Sequence, residues 1–155
     1  MNEKITKKIG EAGAFAQVLG TTYTDNESVM SELLGDKAAM VGPTTVEQHT
    51  ALTTLCEAAG TTDILLPKIE KTVTKISNMG DMYVGDDWDD AAEVLEWMSF
   101  FVGGAIVHWQ LVAGAGEAME HTELQSVATK GVAYYQSLME QLMVAATKIG
   151  EQRAG

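Results

Sequence analysis

Apolar residues recur every three or four positions over most of the chain, which is the spacing of one face of an α-helix. No stretch alternates apolar and polar residues over a useful length, so β-strands have little support. Only two prolines occur among 155 residues, which is few for a protein rich in turns. The sequence therefore predicts an all-α protein, with helices over residues 3–19, 25–34, 45–59, 67–79, 90–119 and 123–149.

Glycines and capping residues mark the expected ends of these helices. Four helices are followed by a glycine, which commonly supplies the left-handed stop: Gly20, Gly35, Gly60 and Gly80. Four helices, two of which also belong to the first set, begin with the spacing of a capping box or a related cap: Thr24 with Glu27, Thr44 with Glu47, Asp90 with Glu93, and Thr122 with Gln125. Pro67 suits the first position of a helix. We expect one domain, residues 1–155, folded as an antiparallel four-helix-type bundle with one extra short helix.

The predicted helix 90–119 is almost entirely apolar. Residues 97–116 read WMSFFVGGAIVHWQLVAGAG, which is long and apolar enough for a transmembrane span. Both flanks are acidic, however, and lack the Lys or Arg that anchors and orients a span. We therefore expect a helix buried on nearly all sides, partly by a second copy of the chain. This predicts a homodimer formed through helices 90–119 and 123–149, with membrane association as the disfavoured alternative.

Charge and cysteine content narrow the possible partners and location. The chain carries 22 Asp and Glu against ten Lys and Arg, a net charge of −12, so nucleic acid is a disfavoured partner. Cys56 is the single cysteine, which excludes an internal disulfide and a Cys-x-x-Cys motif. No apolar segment follows the charged N-terminus as in a signal peptide, so a cytoplasmic location is expected.

The last two predicted helices carry a family resemblance. The segment from EVLEWMSFF through EAMEHTELQ to LMEQLMVAA combines a long helix, a tight polar turn and a second long helix. This pattern resembles the third and fourth helices of the ferritin-like superfamily. Active members of that superfamily hold two metals with glutamates and with Glu-x-x-His pairs. No glutamate here has a histidine three residues later, and Glu117 with His121 is only a weak candidate pair at the turn. No metal site and no cofactor are therefore predicted.

His108, beside Trp109, is the main candidate for a functional polar group in an apolar helix. One interpretation is a ligand-binding or proton-handling histidine in a bundle pocket, with Glu93 or Glu96 nearby. The plainer interpretation is a core or interface histidine that is hydrogen-bonded to a neighbour. His49, on the predicted stripe of helix 45–59 that includes Val46 and Cys56, has the same two interpretations.

No motif for nucleotide binding or serine hydrolysis is present, and the acidic loop 86–90 lacks the ligand spacing of a calcium loop. We therefore expect a non-catalytic helical bundle that acts through self-association or a protein partner. The alternative is a ferritin-like metal- or small-molecule-binding bundle, with oxidoreductase as the enzyme class it would belong to.

Overall fold

The computed structural model describes residues 1–155, and it contains helices and no strands, as an all-α protein should. A 3-10 helix, Gly35–Met40, links the second α-helix to the third. The six α-helices are α1 (Glu3–Asp25), α2 (Glu27–Leu34), α3 (Val41–Ala58), α4 (Thr62–Val84), α5 (Ala91–Ala118) and α6 (Thr122–Ala154).

Helix α1 occupies the centre of the bundle. Between Ile9 and Leu19 every residue except Glu11 and Gln17 is buried. Small residues allow α4 and α3 to pack close to it, because a Cβ at Gly10 would lie 2.9 Å from the Cγ atom of Lys68 on α4 and a Cβ at Gly20 would lie 3.0 Å from the Thr45 hydroxyl oxygen on α3. The middle of α1 is thus the most continuously buried stretch of helix in the protein, which the sequence pattern did not single out.

Contacts along the helices give their relative directions. Helix α1 runs parallel to α4, since Gly10 faces Lys68 while Val18, further along, shares a surface depression with Ile76. Helix α5 runs antiparallel to α1, so that His108 approaches Glu11 and Phe101 contacts Phe15. The bundle therefore places α1 between one parallel neighbour, α4, and one antiparallel neighbour, α5.

Helices α5 and α6 form the long antiparallel hairpin that the sequence predicts. At its closed end, a Cβ at Gly116 would lie 2.7 Å from the backbone nitrogen of Gln125. In its middle, Trp109 is fully buried and lies against Gly131, where a Cβ would fall 2.2 Å from the indole ring. The two glycines thus allow the helices to approach each other closely.

Two predicted helix ends are wrong, because the glycines concerned serve packing. Helix α1 continues through Gly20, where a Cβ would lie 3.0 Å from the hydroxyl oxygen of Thr45 on α3. Helix α4 likewise continues through Gly80, where a Cβ would lie 3.0 Å from Trp97, and it ends at Gly85 with a φ of 63°. Of the predicted loop 80–89, only the second half is therefore outside a helix.

The predicted starts of several helices also differ. Helix α4 begins at Thr62, so Pro67 lies inside it, and α3 begins at Val41. The Thr24 hydroxyl donates to the Gly20 carbonyl instead of capping α2, and His121 replaces Thr122 as the cap of α6. Asp90 does cap α5, accepting a hydrogen bond from the backbone N–H of Ala92.

The predicted exposure of two helices is wrong. On α3 the buried side includes Gln48 and Leu52, whereas Val46 is 66% exposed, because the inward face is rotated from the predicted stripe. Helix α5 was expected to be buried on nearly all sides, yet Phe100, Val107 and Leu111 are 63%, 58% and 51% exposed. Neighbouring helices cover α5 on three sides only, and one apolar side faces outward.

Candidate functional site

The side chains of His108 and Glu11 meet between α5 and α1. The Nδ1 atom of His108 lies 2.8 Å from the carbonyl oxygen of Gly104, one turn earlier on the same helix. The Nε2 atom lies 3.6 Å from Oε2 of Glu11, and the imidazole ring packs at 4.8 Å from the ring of Phe15. His108 is therefore held by its own helix on one edge and presents its other edge to a carboxylate.

Two lysines complete this charged cluster. The Nζ atoms of Lys8 and Lys68 lie 2.8 and 3.0 Å from the two carboxylate oxygens of Glu11. Burial raises the pKa of the Glu11 carboxyl, but the bonds from Lys8 and Lys68 outweigh burial, so the pKa lies below its ordinary value. Glu11 is thus an ionised carboxylate, 14% exposed, that joins α1 to α4 and α5.

A cavity of about 310 Å³ opens beside this cluster, between α1, α4 and α5. We call it the His108 cavity. Its polar lining consists of His108, Glu11, Lys68, Thr72 and Lys75. Its apolar lining extends towards the far ends of α4 and α5 and consists of Phe15, Ile76, Met79, Trp97, Phe100 and Phe101, with Gly104. This volume lies at the lower end of the range of small-molecule sites in proteins.

The other candidates on α5 lie away from this cavity. Trp109 is fully buried towards α6, because one residue along a helix turns the side chain by about 100°. Glu96 accepts a hydrogen bond of 3.1 Å from the Tyr83 hydroxyl at the surface. Neither Glu93 nor Glu96 lines the His108 cavity. The predicted grouping of these three residues around His108 is therefore wrong.

The remaining predicted residues are dispersed. His49 lines a shallow depression between α1 and α3. Glu117 is exposed, and His121 uses Nδ1 to accept a hydrogen bond of 3.3 Å from the backbone N–H of Leu124. No three His, Cys, Asp or Glu side chains come together in an arrangement that could hold a metal ion.

Behind Trp109 lies a buried polar contact that the sequence pattern did not indicate. The Tyr135 hydroxyl donates a hydrogen bond of 3.0 Å to Oε1 of Gln48, which joins α6 to α3. The Trp109 ring packs beside Tyr135 at 6.1 Å, and its Nε1 atom has no hydrogen-bond partner. Burial holds the pKa of Tyr135 well above its ordinary value, so this hydroxyl acts as a donor and not as a phenolate.

The outward side of α5 carries a second feature, which we call the α5 stripe: Phe100, Gly103, Val107, Leu111 and Gly114. These positions recur at spacings of three and four, so they share one face of the helix. A Cβ placed at Gly114 would meet no atom within 4 Å. By length and composition alone α5 could cross a membrane, and 39% of its most apolar window is buried within the protein.

Apolar side chains of neighbouring helices widen this stripe. Tyr83 on α4 is 42% exposed and packs edge-on against Phe100, with ring centroids 5.4 Å apart. On the other flank, Met139 of α6 approaches Gly103, and Met143 one turn further is 66% exposed. The stripe is thus the middle of a broader exposed apolar surface, which is unusual for a monomeric soluble protein.

Comparison with known proteins gives no relative from which a function can be transferred. No family model matches the chain, and no curated protein and no solved structure matches it. Function must therefore be argued from the His108 cavity and the α5 stripe.

The sequence pattern indicated His108 but missed Glu11, Lys68 and Lys75. The spacing of seven places the two lysines on one side of α4, but in sequence this pattern equally fits a solvated helix face. Glu11 is a single acidic residue in the otherwise apolar middle of α1, and that isolation was the available indication.

Proposed function

We propose that this protein is a non-catalytic helical bundle that acts as a homodimer, with the α5 stripe as the dimer interface. The observation that carries the proposal is the internal symmetry of the stripe about Val107. Phe100 and Gly114 each lie seven residues from Val107, and Gly103 and Leu111 each lie four residues from it.

That symmetry is what a two-fold interface requires, since residue i of one copy then faces residue j of the other and the reverse. An antiparallel pairing of two α5 helices centred on Val107 brings Phe100 of one copy over Gly114, Ala115 and Ala118 of the other. It brings Leu111 over Gly103 and Gly104. Large side chains thus meet small ones at four points, in the manner of knobs entering holes.

Sizing of the purified protein over a range of concentrations tests this proposal, and it predicts a dimer. Val107→Lys places two ammonium groups at the two-fold axis and should convert the protein to a monomer. The control is Val46→Lys, at a 66% exposed valine on α3 that lies outside the stripe and should leave the dimer unchanged. A strict monomer, or equal behaviour of the two variants, contradicts the proposal.

Flotation with liposomes tests membrane association as the alternative use of the α5 stripe. If the wild-type protein is a monomer that binds liposomes, and Val107→Lys abolishes this binding, membrane association replaces self-association as the proposed function.

The ferritin-like outline and the antiparallel four-helix arrangement remain proposals. The length and antiparallel course of α5 and α6 support them. The parallel, central position of α1 is the feature that a four-helix outline does not account for. A cytoplasmic location likewise remains a proposal, supported by the single, fully buried Cys56.

A further inference from the structure

The His108 cavity has chemistry that self-association does not use. Its polar and apolar linings are separated along the helix axes, with Lys68 and His108 at one end and Met79 and Phe100 at the other. On α4 this separation covers eleven residues from Lys68 to Met79, or about 16 Å. The cavity is thus an elongated groove with a charged end and an apolar end.

The charged side chains that line the groove are positive on balance. Lys68 and Lys75 line the groove, and Glu11 is the single carboxylate that lines it. Glu11 is already engaged by Lys8 and Lys68, whereas Lys75 belongs to none of the ion pairs in the protein. The ammonium group of Lys75 therefore remains available to a ligand; Lys75 lies one turn after Thr72 and two turns after Lys68, between the charged and apolar ends of the groove.

Helices α1 and α4 are neutral together, in a protein of net charge −12. They carry six Asp and Glu and six of the ten Lys and Arg residues: Lys4, Lys7, Lys8, Lys68, Lys71 and Lys75. The rest of the protein holds the whole negative charge, so an anionic ligand is repelled least on this side of the bundle.

We propose that the His108 cavity binds a single-chain amphipathic carboxylate, such as a medium-chain fatty acid. The carboxylate is held at Thr72 by its hydroxyl and by Lys75 one turn further along α4, with Lys68 one turn before Thr72. The chain lies along Ile76 towards Met79, Trp97 and Phe100, a distance of about 10 Å from Thr72 to Met79 along α4. Apolar walls with a few polar groups at one end are the usual composition of such sites.

Calorimetric titration with octanoate tests the proposal, with octanol and octylammonium as probes of the same chain and different head groups. We expect octanoate to bind more tightly than octanol and octylammonium to bind weakest. Lys75→Met should weaken octanoate binding about tenfold and leave octanol binding unchanged. The matched control is Lys71→Met, one turn away on α4 and outside the cavity lining, which should change neither affinity.

The apolar end is tested separately. Met79 is 49% exposed, so Met79→Gln, which adds polarity and no charge, should fold normally, as circular dichroism can verify, while weakening the binding of octanoate and octanol alike. Equal affinities for octanoate and octanol, equal effects of Lys75→Met and Lys71→Met, or no octanoate binding at millimolar concentration would each overturn the proposal. Of the α5 stripe, Phe100 alone also lines the cavity, and Lys71, Lys75 and Met79 lie outside the stripe, so the effects of these three substitutions can be interpreted whether or not the dimer proposal fails.

Discussion

The Nε2 atom of His108 lies 3.6 Å from the Oε2 atom of Glu11, and this contact joins α5 to the central helix α1. The same carboxylate binds Lys68 on α4 at 3.0 Å. One residue of α1 therefore links three helices at the charged end of the His108 cavity. Glu11 is the only charged side chain within the buried part of α1, so we expect it to influence both stability and its pH dependence.

Glu11→Gln should lower the free energy of unfolding at pH 7 by about 1–3 kcal/mol, because the charge-assisted bonds to two lysines are lost. The pKa of Glu11 is lowered in the folded protein. Its contribution is therefore present above the unfolded-state pKa and is lost as the pH falls through the folded-state pKa. Urea unfolding at pH 7 and pH 3 should show the difference between wild type and variant shrinking at pH 3.

The matched control for this prediction is Glu47→Gln. Glu47 pairs with Lys130 at 2.9 Å, but both side chains are mostly exposed, at 67% and 78%. The substitution should change stability by less than about 1 kcal/mol at either pH. A variant of Glu11 that behaves like this control would show that the buried cluster contributes no more than a surface pair.

Gly131→Ala should destabilise the protein by about 1–3 kcal/mol, because a methyl group there overlaps the buried Trp109 ring. The Cβ atom would lie 2.2 Å from the indole Cε3 atom, so either the ring or α6 must shift. The control is Gly150→Ala, at a position on the same helix with no atom within 4 Å, which should stabilise by up to ~1 kcal/mol. Chemical denaturation of the two variants measures this difference.

The helices could be predicted from the sequence because apolar residues that recur every three or four positions indicate an amphipathic helix locally. The hairpin of α5 and α6 emerged with its ends nearly correct, since Asp90 is a strong cap and the turn after Ala118 is short. Glycines were the main source of error. Gly20 and Gly80 allow close packing inside helices, and a single sequence does not distinguish that use from a helix stop.

The candidate site could be predicted only in part. His108 was identified because a polar residue stands out in an apolar run, and the structure places it in a cavity lining. Its partners Glu11 and Lys68 come from helices distant in sequence, and only tertiary packing brings them together. The exposure of one side of α5 was not predicted for the same reason. A helix that is apolar all round has no polar face in its sequence to show which side its neighbours leave uncovered.

Gly114→Leu should separate folding from association. The position has open space around it, so the monomer accommodates the side chain, and replacing glycine within α5 should stabilise the helix by up to ~1 kcal/mol. In the proposed dimer the leucine occupies the space that receives Phe100 of the second copy. Thermal unfolding of dilute protein should therefore show no loss of stability, while sedimentation shows weaker association. An unchanged dimer would place the interface elsewhere.

Salt should strengthen the dimer. No Lys or Arg occurs between residues 91 and 121, and the antiparallel pairing brings Glu93 and Glu96 of one copy towards Glu117 and Glu120 of the other. These like charges repel at low ionic strength and are screened as salt is added. Sedimentation at 20 mM and 500 mM sodium chloride should show a lower dissociation constant at the higher concentration. The reverse trend would indicate an interface formed by ion pairs, which the α5 stripe does not provide.

The central claim is an antiparallel interface centred on Val107, and oxidative cross-linking of variants with one added cysteine tests it most directly. Val107→Cys should form a disulfide-linked dimer, because the two copies meet at this residue. Phe100→Cys should not, because the two positions would be about 21 Å apart along the antiparallel helices. The native Cys56 is fully buried, so the wild-type protein should not cross-link. The Val46→Cys variant is the control for cross-linking at an exposed position outside the stripe. Efficient cross-linking through Val107 and not through Phe100 is the predicted result; cross-linking through Phe100 alone, or through neither, would contradict the account.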